Sequence, residues 1–269
     1  MGKINDTLLN HWFTLEENYN IWFISLYGSQ NYNLDDGLSD IDTKALILPN
    51  FNQLYYKRGE INKVVITENN EHIEVKDAKS MVKNFWKQNI NFLEILFTKY
   101  SIVNDDYLDE WNELVRLKEE IARYNIEVGI KAIYGMARSK YENLATPHPS
   151  VLHLIEKNGY DGKQLSNIMR LNNFLYNYIA GVPFEKCLTK HNLWTKIALI
   201  EAKRNCYSFE MANNIAKSCI KMMETQYYEF KNKHKNIEIN EKVVKEVDEI
   251  IYSLYKKSLH KEFEKEMSL

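Results

Sequence analysis

Apolar positions fall into short blocks broken by polar turns in the first third of the chain, and into long helical stripes beyond it. Residues 6–19 read as a helix. Ile21-Trp-Phe-Ile-Ser-Leu-Tyr27 is an unbroken apolar and aromatic block, the pattern of a buried strand, and Gly28 ends it. Ile41 to Leu48 reads as a second strand closed by Pro49-Asn50. Two further strands are predicted at 63–67 and 71–76, joined by a hairpin turn at Glu68-Asn69-Asn70. Asp77 is placed to cap a helix in which Ala78, Met81, Val82, Phe85 and Trp86 recur at helical spacing, and a second helix covers Phe92 to Thr98.

From about Leu108 the pattern is helical nearly throughout. Ile126, Ile130, Ile133, Ala137, Tyr141 and Leu144 form one stripe, and Thr146-Pro147-His148-Pro149 reads as a loop after it. Asp161 can cap a helix carrying Leu165, Ile168, Leu175 and Ile179, which Gly181-Val182-Pro183 ends. Two more long helices are expected over 192–232 and 241–265. The fold class implied is α+β: a small mixed sheet with flanking helices over residues 1–100, followed by a mostly α-helical domain over 101–269.

Composition supports a packed protein. With 269 residues, 45% of them hydrophobic, the chain can bury a substantial core. Nine glycines and four prolines forecast long helices. Charge excludes a general polyanion binder, because 35 Lys+Arg against 37 Asp+Glu leave a net charge of −2, and any nucleic-acid surface has to be a local patch. Cys187, Cys206 and Cys219 lack CxxC spacing and are odd in number, which reads as reduced cysteines in a cytoplasmic protein. A polar N-terminus and the lack of any apolar run of about 18 residues argue against secretion and membrane insertion.

The chemistry concentrates between Leu26 and Asp42. Gly28-Ser29 is followed, after ten residues, by Asp40-Ile41-Asp42 on the second predicted strand. Alternation along a strand would point Asp40 and Asp42 to one side with Ile41 in the core. Two neighbouring carboxylates are costly unless a cation neutralises them, and hard divalent cations do so with phosphate oxygens completing the shell. Gly28 allows close backbone approach to a ligand, and Ser29 offers a hydroxyl and an N–H to phosphate oxygen.

This arrangement resembles the signature of the DNA polymerase beta superfamily of nucleotidyltransferases. The resemblance implies that Asp40 and Asp42 hold Mg²⁺ or Mn²⁺, that a third carboxylate comes from a later strand, and that the Gly28-Ser29 turn holds a nucleoside triphosphate. Glu74, in Glu71-His-Ile-Glu-Val-Lys76, matches the third acid best, with Asp77 the runner-up because a helix start already occupies it. A narrower resemblance, to predicted nucleotidyltransferases assigned to RNA-repair pathways, rests on three blocks: Ser25–Pro49, Ile73–Phe97 and Gly159–Leu171. Asn33 stands where that family often has Gly, and Asn167 where it commonly has His.

The implied reaction is transfer of a nucleoside monophosphate from an NTP to an acceptor hydroxyl, with release of pyrophosphate. Asp40, Asp42 and Glu74 would be catalytic and metal-ligating; Gly28, Ser29, Tyr32, Lys163 and Arg170 would bind the nucleotide. An RNA or tRNA end is the acceptor the resemblance favours, while a protein hydroxyl or small molecule would use the same chemistry. A non-catalytic or antitoxin-like nucleotide- or RNA-binding module is the alternative.

Several features admit two readings. Tyr32 could stack on a nucleobase or cover the core. Lys163, Asn167 and Arg170, spaced by four and three, share one helix face that either meets phosphate or is a solvated polar surface. Tyr55, Tyr56, Lys57 and Arg58 suit stacking and phosphate contact with RNA, or form a plain exposed loop. Asn89, Asn91 and Glu94 sit at a helix junction, where caps and local hydrogen bonds are the default. His148 and His153 do not have zinc spacing.

Overall fold

The computed structural model describes residues 2–35, 41–56, 61–68, 71–234 and 239–268. They divide into two compact units, one of residues 1–31, 37–124 and 239–269, the other of 32–36 and 125–238. The α+β class expected from the sequence is present, with a five-stranded mixed sheet and many helices. A single division near residue 100 is not where the units part: residues 101–124 and the C-terminal helix belong with the sheet.

The first unit runs α1 (Gly2–Glu16), β1 (Asn20–Leu26), β2 (Thr43–Leu48), α2 (Phe51–Tyr56), β3 (Asn62–Ile66), β4 (His72–Asp77), α3 (Ala78–Trp86) and α4 (Ile90–Leu93). A 3-10 turn at Glu94–Phe97, β5 (Ser101–Val103), α5 (Leu108–Arg116) and α6 (Lys118–Ala122) follow. The strand order is β3-β4-β2-β1-β5. Apart from Asn20, every residue of β1 and β2 is buried, as continuous apolar runs require. β3 and β4 form the expected antiparallel hairpin, and Asn69-Asn70 of its turn lie outside the described residues. β4 runs parallel to β2, with Lys44 opposite Glu74.

A register shift between Ile21 and Phe23 lets Ile21 and Ile24 join one apolar cluster with Leu8 and Leu15 of α1 and with Ala45, Ile47, Ile73 and Val75. In an unbroken strand, residues three apart would face opposite sides. Phe23 stacks on Trp111 of α5 with ring centroids 3.8 Å apart. β5 was not foreseen, since three residues are too few to show a period of two.

The second unit contains α7 (Ile126–Glu142), α8 (Leu152–Asn158), α9 (Gly162–Ile179), α10 (Phe184–Thr189), α11 (Leu193–Lys203) and α12 (Phe209–Lys233). The span 192–232, expected as one helix, is two: Asn205 takes a left-handed φ of 56° and Ser208 caps α12 by accepting from Met211 N–H. α13 (Glu241–Met267) then returns to the first unit, burying Val243, Val247, Ile250 and Leu254. Lys257 of α13 pairs with Glu110 of α5 at 3.1 Å, and Asn20 of β1 donates to Ser258 at 2.9 Å.

α9 is the axis of the second unit and packs against α7, α10, α11 and α12. Its start needs glycine for space, because a Cβ on Gly162 would collide with the Ala202 carbonyl oxygen and lie 2.7 Å from Asn205 Oδ1. Backbone atoms cannot swing aside, so Gly162→Ala is expected to destabilise the protein by about 3 kcal/mol through overpacking. The shift of the denaturant midpoint measures it; a midpoint equal to that of the parent would show that α11 is not held against α9.

Candidate active site

The loop after β1 is built around Gly28, whose φ of 93° lies in the region that favours glycine. Its N–H donates to Glu94 Oε2 at 3.3 Å, and Asn31 N–H donates back to the Gly28 carbonyl at 3.0 Å. Asn31 Nδ2 donates to the Leu26 carbonyl at 3.0 Å and to Glu94 Oε2 at 3.4 Å, while Thr98 Oγ1 donates to Asn31 Oδ1 at 2.8 Å. The Gly28-Ser29 turn therefore rests on a buried carboxylate reaching it from 66 residues away. Ser29 is half-buried, its hydroxyl 3.3 Å from Gln30 Oε1.

Asp42 lies beside this turn, its carbonyl accepting from Tyr27 N–H at 3.2 Å. β2 starts at Thr43, so Asp42 precedes the strand instead of lying within it as the sequence suggested. Ile41 is buried and Asp42 half-buried, which agrees with the inward and outward alternation expected of the pair. Asp40 lies outside the described residues. The Asp42 carboxylate makes no hydrogen bond or ion pair among the described residues.

Glu74 projects from β4 between two lysines: its Oε2 is 3.1 Å from Lys44 Nζ and its Oε1 3.3 Å from Lys76 Nζ. Lys44 is fully buried, with its ammonium 3.2 Å from the centroid of the Tyr27 ring. Burial pushes its pKa down, against the opposing charges of Glu94, Glu74 and Asp42. The Tyr27 hydroxyl is pushed far above its ordinary range, by burial first and then by Asp42, Glu74 and Glu94. Three carboxylates thus act together on Tyr27 and Lys44, at the ends of β1, β2 and β4. A second buried network adjoins them: His11 Nδ1 is 2.8 Å from Thr43 Oγ1 and its Nε2 is 3.1 Å from Glu71 Oε2. Burial lowers the His11 pKa, and Glu71 and Asp42 oppose that shift.

Sequence reasoning overlooked Lys44, Lys76 and the His11–Glu71 pair. Lys44 follows Asp42 by two residues, and Lys76 follows Glu74 by two, so alternation on paired strands was the available signal. Glu94 also differs from expectation. Asn89 does cap α4 by accepting from Asn91 N–H, but Glu94 bonds the distant Gly28 turn. Asp77 has the expected structural occupation, accepting from Ser80 N–H at 2.8 Å and from Ile61 N–H at 2.9 Å.

Tyr32, Asn33, Lys163, Asn167 and Arg170 belong to the second unit. Tyr32 is buried there, 5% exposed, with the Arg170 guanidinium 3.9 Å from its ring centroid. A ring covered in this way is not open to a nucleobase in this conformation. Lys163 is exposed, Asn167 half-buried and Arg170 buried, so the face is not the uniformly solvated surface that spacing allowed. Asn33 has a φ of 57°, which glycine adopts freely and asparagine tolerates, and this is the position where the resembled family often carries Gly. Tyr55 and Tyr56 end α2 and are 67% and 74% exposed, while Lys57 and Arg58 lie outside the described residues.

No protein-family model and no curated protein sequence matches the chain. Among the described residues no helix is long and apolar enough to cross a membrane, and no three His, Cys, Asp or Glu residues form a metal-binding group. The three cysteines are free, and burial pushes the Cys219 thiol up to about 11.

Proposed function

We propose that the chain is a metal-dependent nucleotidyltransferase that moves a nucleoside monophosphate from an NTP to an acceptor hydroxyl, with an RNA or tRNA end as acceptor. The observation that carries this reading is the convergence of the glycine turn with the acids that follow it. Tyr27, which leads into the Gly28-Ser29 turn, bonds the Asp42 carbonyl and carries on its ring the Lys44 ammonium that pairs with Glu74, although 46 positions separate Gly28 from Glu74 in the sequence. The left-handed Asn33 adds support for the narrower resemblance.

The donor set fits a divalent cation in part. Asp42 is a half-buried carboxylate without a protein partner among the described residues, which suits a hard cation, and Asp40 is its intended companion. Glu74 does not fit as a ligand in this conformation, because a lysine engages each of its oxygens. When bound, Mg²⁺ or Mn²⁺ would supply charge neutralisation and a lower pKa to a coordinated hydroxyl.

The chain's own residues would then do the following. The Gly28 turn brings backbone close to phosphate, and Ser29 donates its hydroxyl to a phosphate oxygen. The acceptor oxygen attacks the α-phosphorus in line, the bond to the β-phosphate oxygen breaks, and pyrophosphate leaves with that electron pair. The hydroxyl proton passes to the carboxylate set, in which Asp42 has no ion-pair partner among the described residues. Lys44 and Lys76 hold Glu74 in place and limit repulsion among the acids.

One observation favours a second reading, a nucleotide- or RNA-binding module without turnover: an acid of the expected triad is already neutralised by lysines. Incubation with each labelled NTP in turn, with Mg²⁺ or Mn²⁺, against total RNA and total protein separates the two. Label transferred to RNA supports the proposal, and label on protein changes only the acceptor. Retention of unreacted NTP under every condition would leave the binding module.

A further inference from the structure

Arg170 is 5% exposed, yet its Nε and Nη1 have no hydrogen-bond partner among the described residues. A guanidinium cannot shed its charge in a protein, so burying it with idle N–H groups costs free energy that an arriving anion would recover. Nothing in its own unit supplies that anion among the described residues. Arg170 makes no ion pair there, and neither do Lys163 or Lys140. Asp161, at the start of the same helix, is buried and already accepts from Lys163 N–H at 2.9 Å as the cap of α9.

Lys163 shares the α9 face with Arg170, and Lys140 belongs to α7, which packs against α9. Lys140 of α7 is half-buried, and its pKa is pushed down by burial first and then by Lys163, with Arg170 adding to the repulsion and Asp161 opposing it. The Tyr32 ring centroid lies 3.9 Å from the central carbon of the Arg170 guanidinium, a contact that leaves the Nε and Nη1 donors without a hydrogen bond among the described residues. Burial deepens from Lys163 through Asn167 to Arg170, so the face leads from solvent inward to the idle donors.

We propose that Lys140, Lys163 and Arg170 form an anion subsite, complete within the helical unit and independent of metal, that takes the polyphosphate tail of a nucleoside triphosphate. The idle guanidinium donors and two ammonium groups define the site; naming a triphosphate as its anion rests on the nucleotidyl-transfer reading. In this assignment Tyr32 is the platform that orients Arg170, and the guanidinium takes two oxygens of one phosphate while the lysines neutralise the next.

The test uses the full chain in EDTA with inorganic tripolyphosphate, read by calorimetric titration and by melting temperature. Tripolyphosphate should bind and raise the melting temperature of the parent. Arg170→Met should lower affinity at least about tenfold. It should also melt no lower than the parent without the anion, since it removes a buried unpaired charge at similar volume. Lys140→Met should weaken binding. Failure of the parent to bind, unchanged affinity in Arg170→Met, or equal affinity for orthophosphate and tripolyphosphate would overturn the assignment. Tripolyphosphate binding without transfer from any NTP would count against the transfer reading and leave the subsite standing.

Discussion

Asp42→Asn is expected to reduce Mg²⁺-dependent nucleotide transfer roughly a thousandfold, about 4 kcal/mol of transition-state stabilisation, while leaving the fold intact. The substitution keeps shape and removes a charge that makes no ion pair among the described residues. The folded chain loses repulsion beside Glu74 and Glu94, which act with Asp42 on Tyr27, and loses an attraction to the buried Lys44 ammonium, and the two oppose each other. Stability should therefore change little as activity collapses. Single-turnover transfer from labelled NTP, paired with a denaturant melt, gives both readouts. Undiminished transfer would remove Asp42 from the reaction and with it the main support for the proposed chemistry.

Removal of Glu74 should behave in the opposite way toward stability. Glu74→Ala leaves Lys44 fully buried and Lys76 largely so, each without its carboxylate. Breaking such an arrangement is expected to cost on the order of 2–3 kcal/mol, less than for a fully enclosed pair because Glu74 keeps partial exposure. An acid whose only task was to hold a metal would give the reverse sign, since deleting it from the metal-free chain relieves repulsion. The sign of the change in denaturant midpoint, measured in EDTA, thus separates a counter-ion from a dedicated ligand. A gain in stability would restore Glu74 as the third metal-binding acid and show that the two lysines tolerate its absence.

The two variants also mark how legible the site was. Asp42 stood out because Gly-Ser, a fixed spacer and paired acids fall within one short stretch. Glu74 could be placed beside that stretch because the hairpin at 62–77 was readable from alternating positions and turn residues. Its engagement by Lys44 and Lys76 was less apparent, since it depends on the parallel register that sets Lys44 opposite Glu74. Likewise, Glu94 reads as an ordinary helix-junction acid until the chain folds back and brings the Gly28 N–H to it.

Local pattern determined much of the architecture. The buried strands at 20–26 and 43–48, the Asp77 and Asp161 caps and the helical stripes were all readable within a few residues. These features depend on side-chain period and backbone preference among near neighbours, which the amino-acid order specifies directly. Tertiary structure alone decided the partners: α13 returning across more than 100 residues to join the sheet, the kinship of 101–124 with that unit, and Arg170 buried over Tyr32. A periodic stripe states that a face must be covered but not what covers it, because apolar burial is non-directional and many pairings satisfy it equally. The spacing of Lys163, Asn167 and Arg170 established a common face, and only packing against neighbouring helices left its innermost cation buried with idle donors.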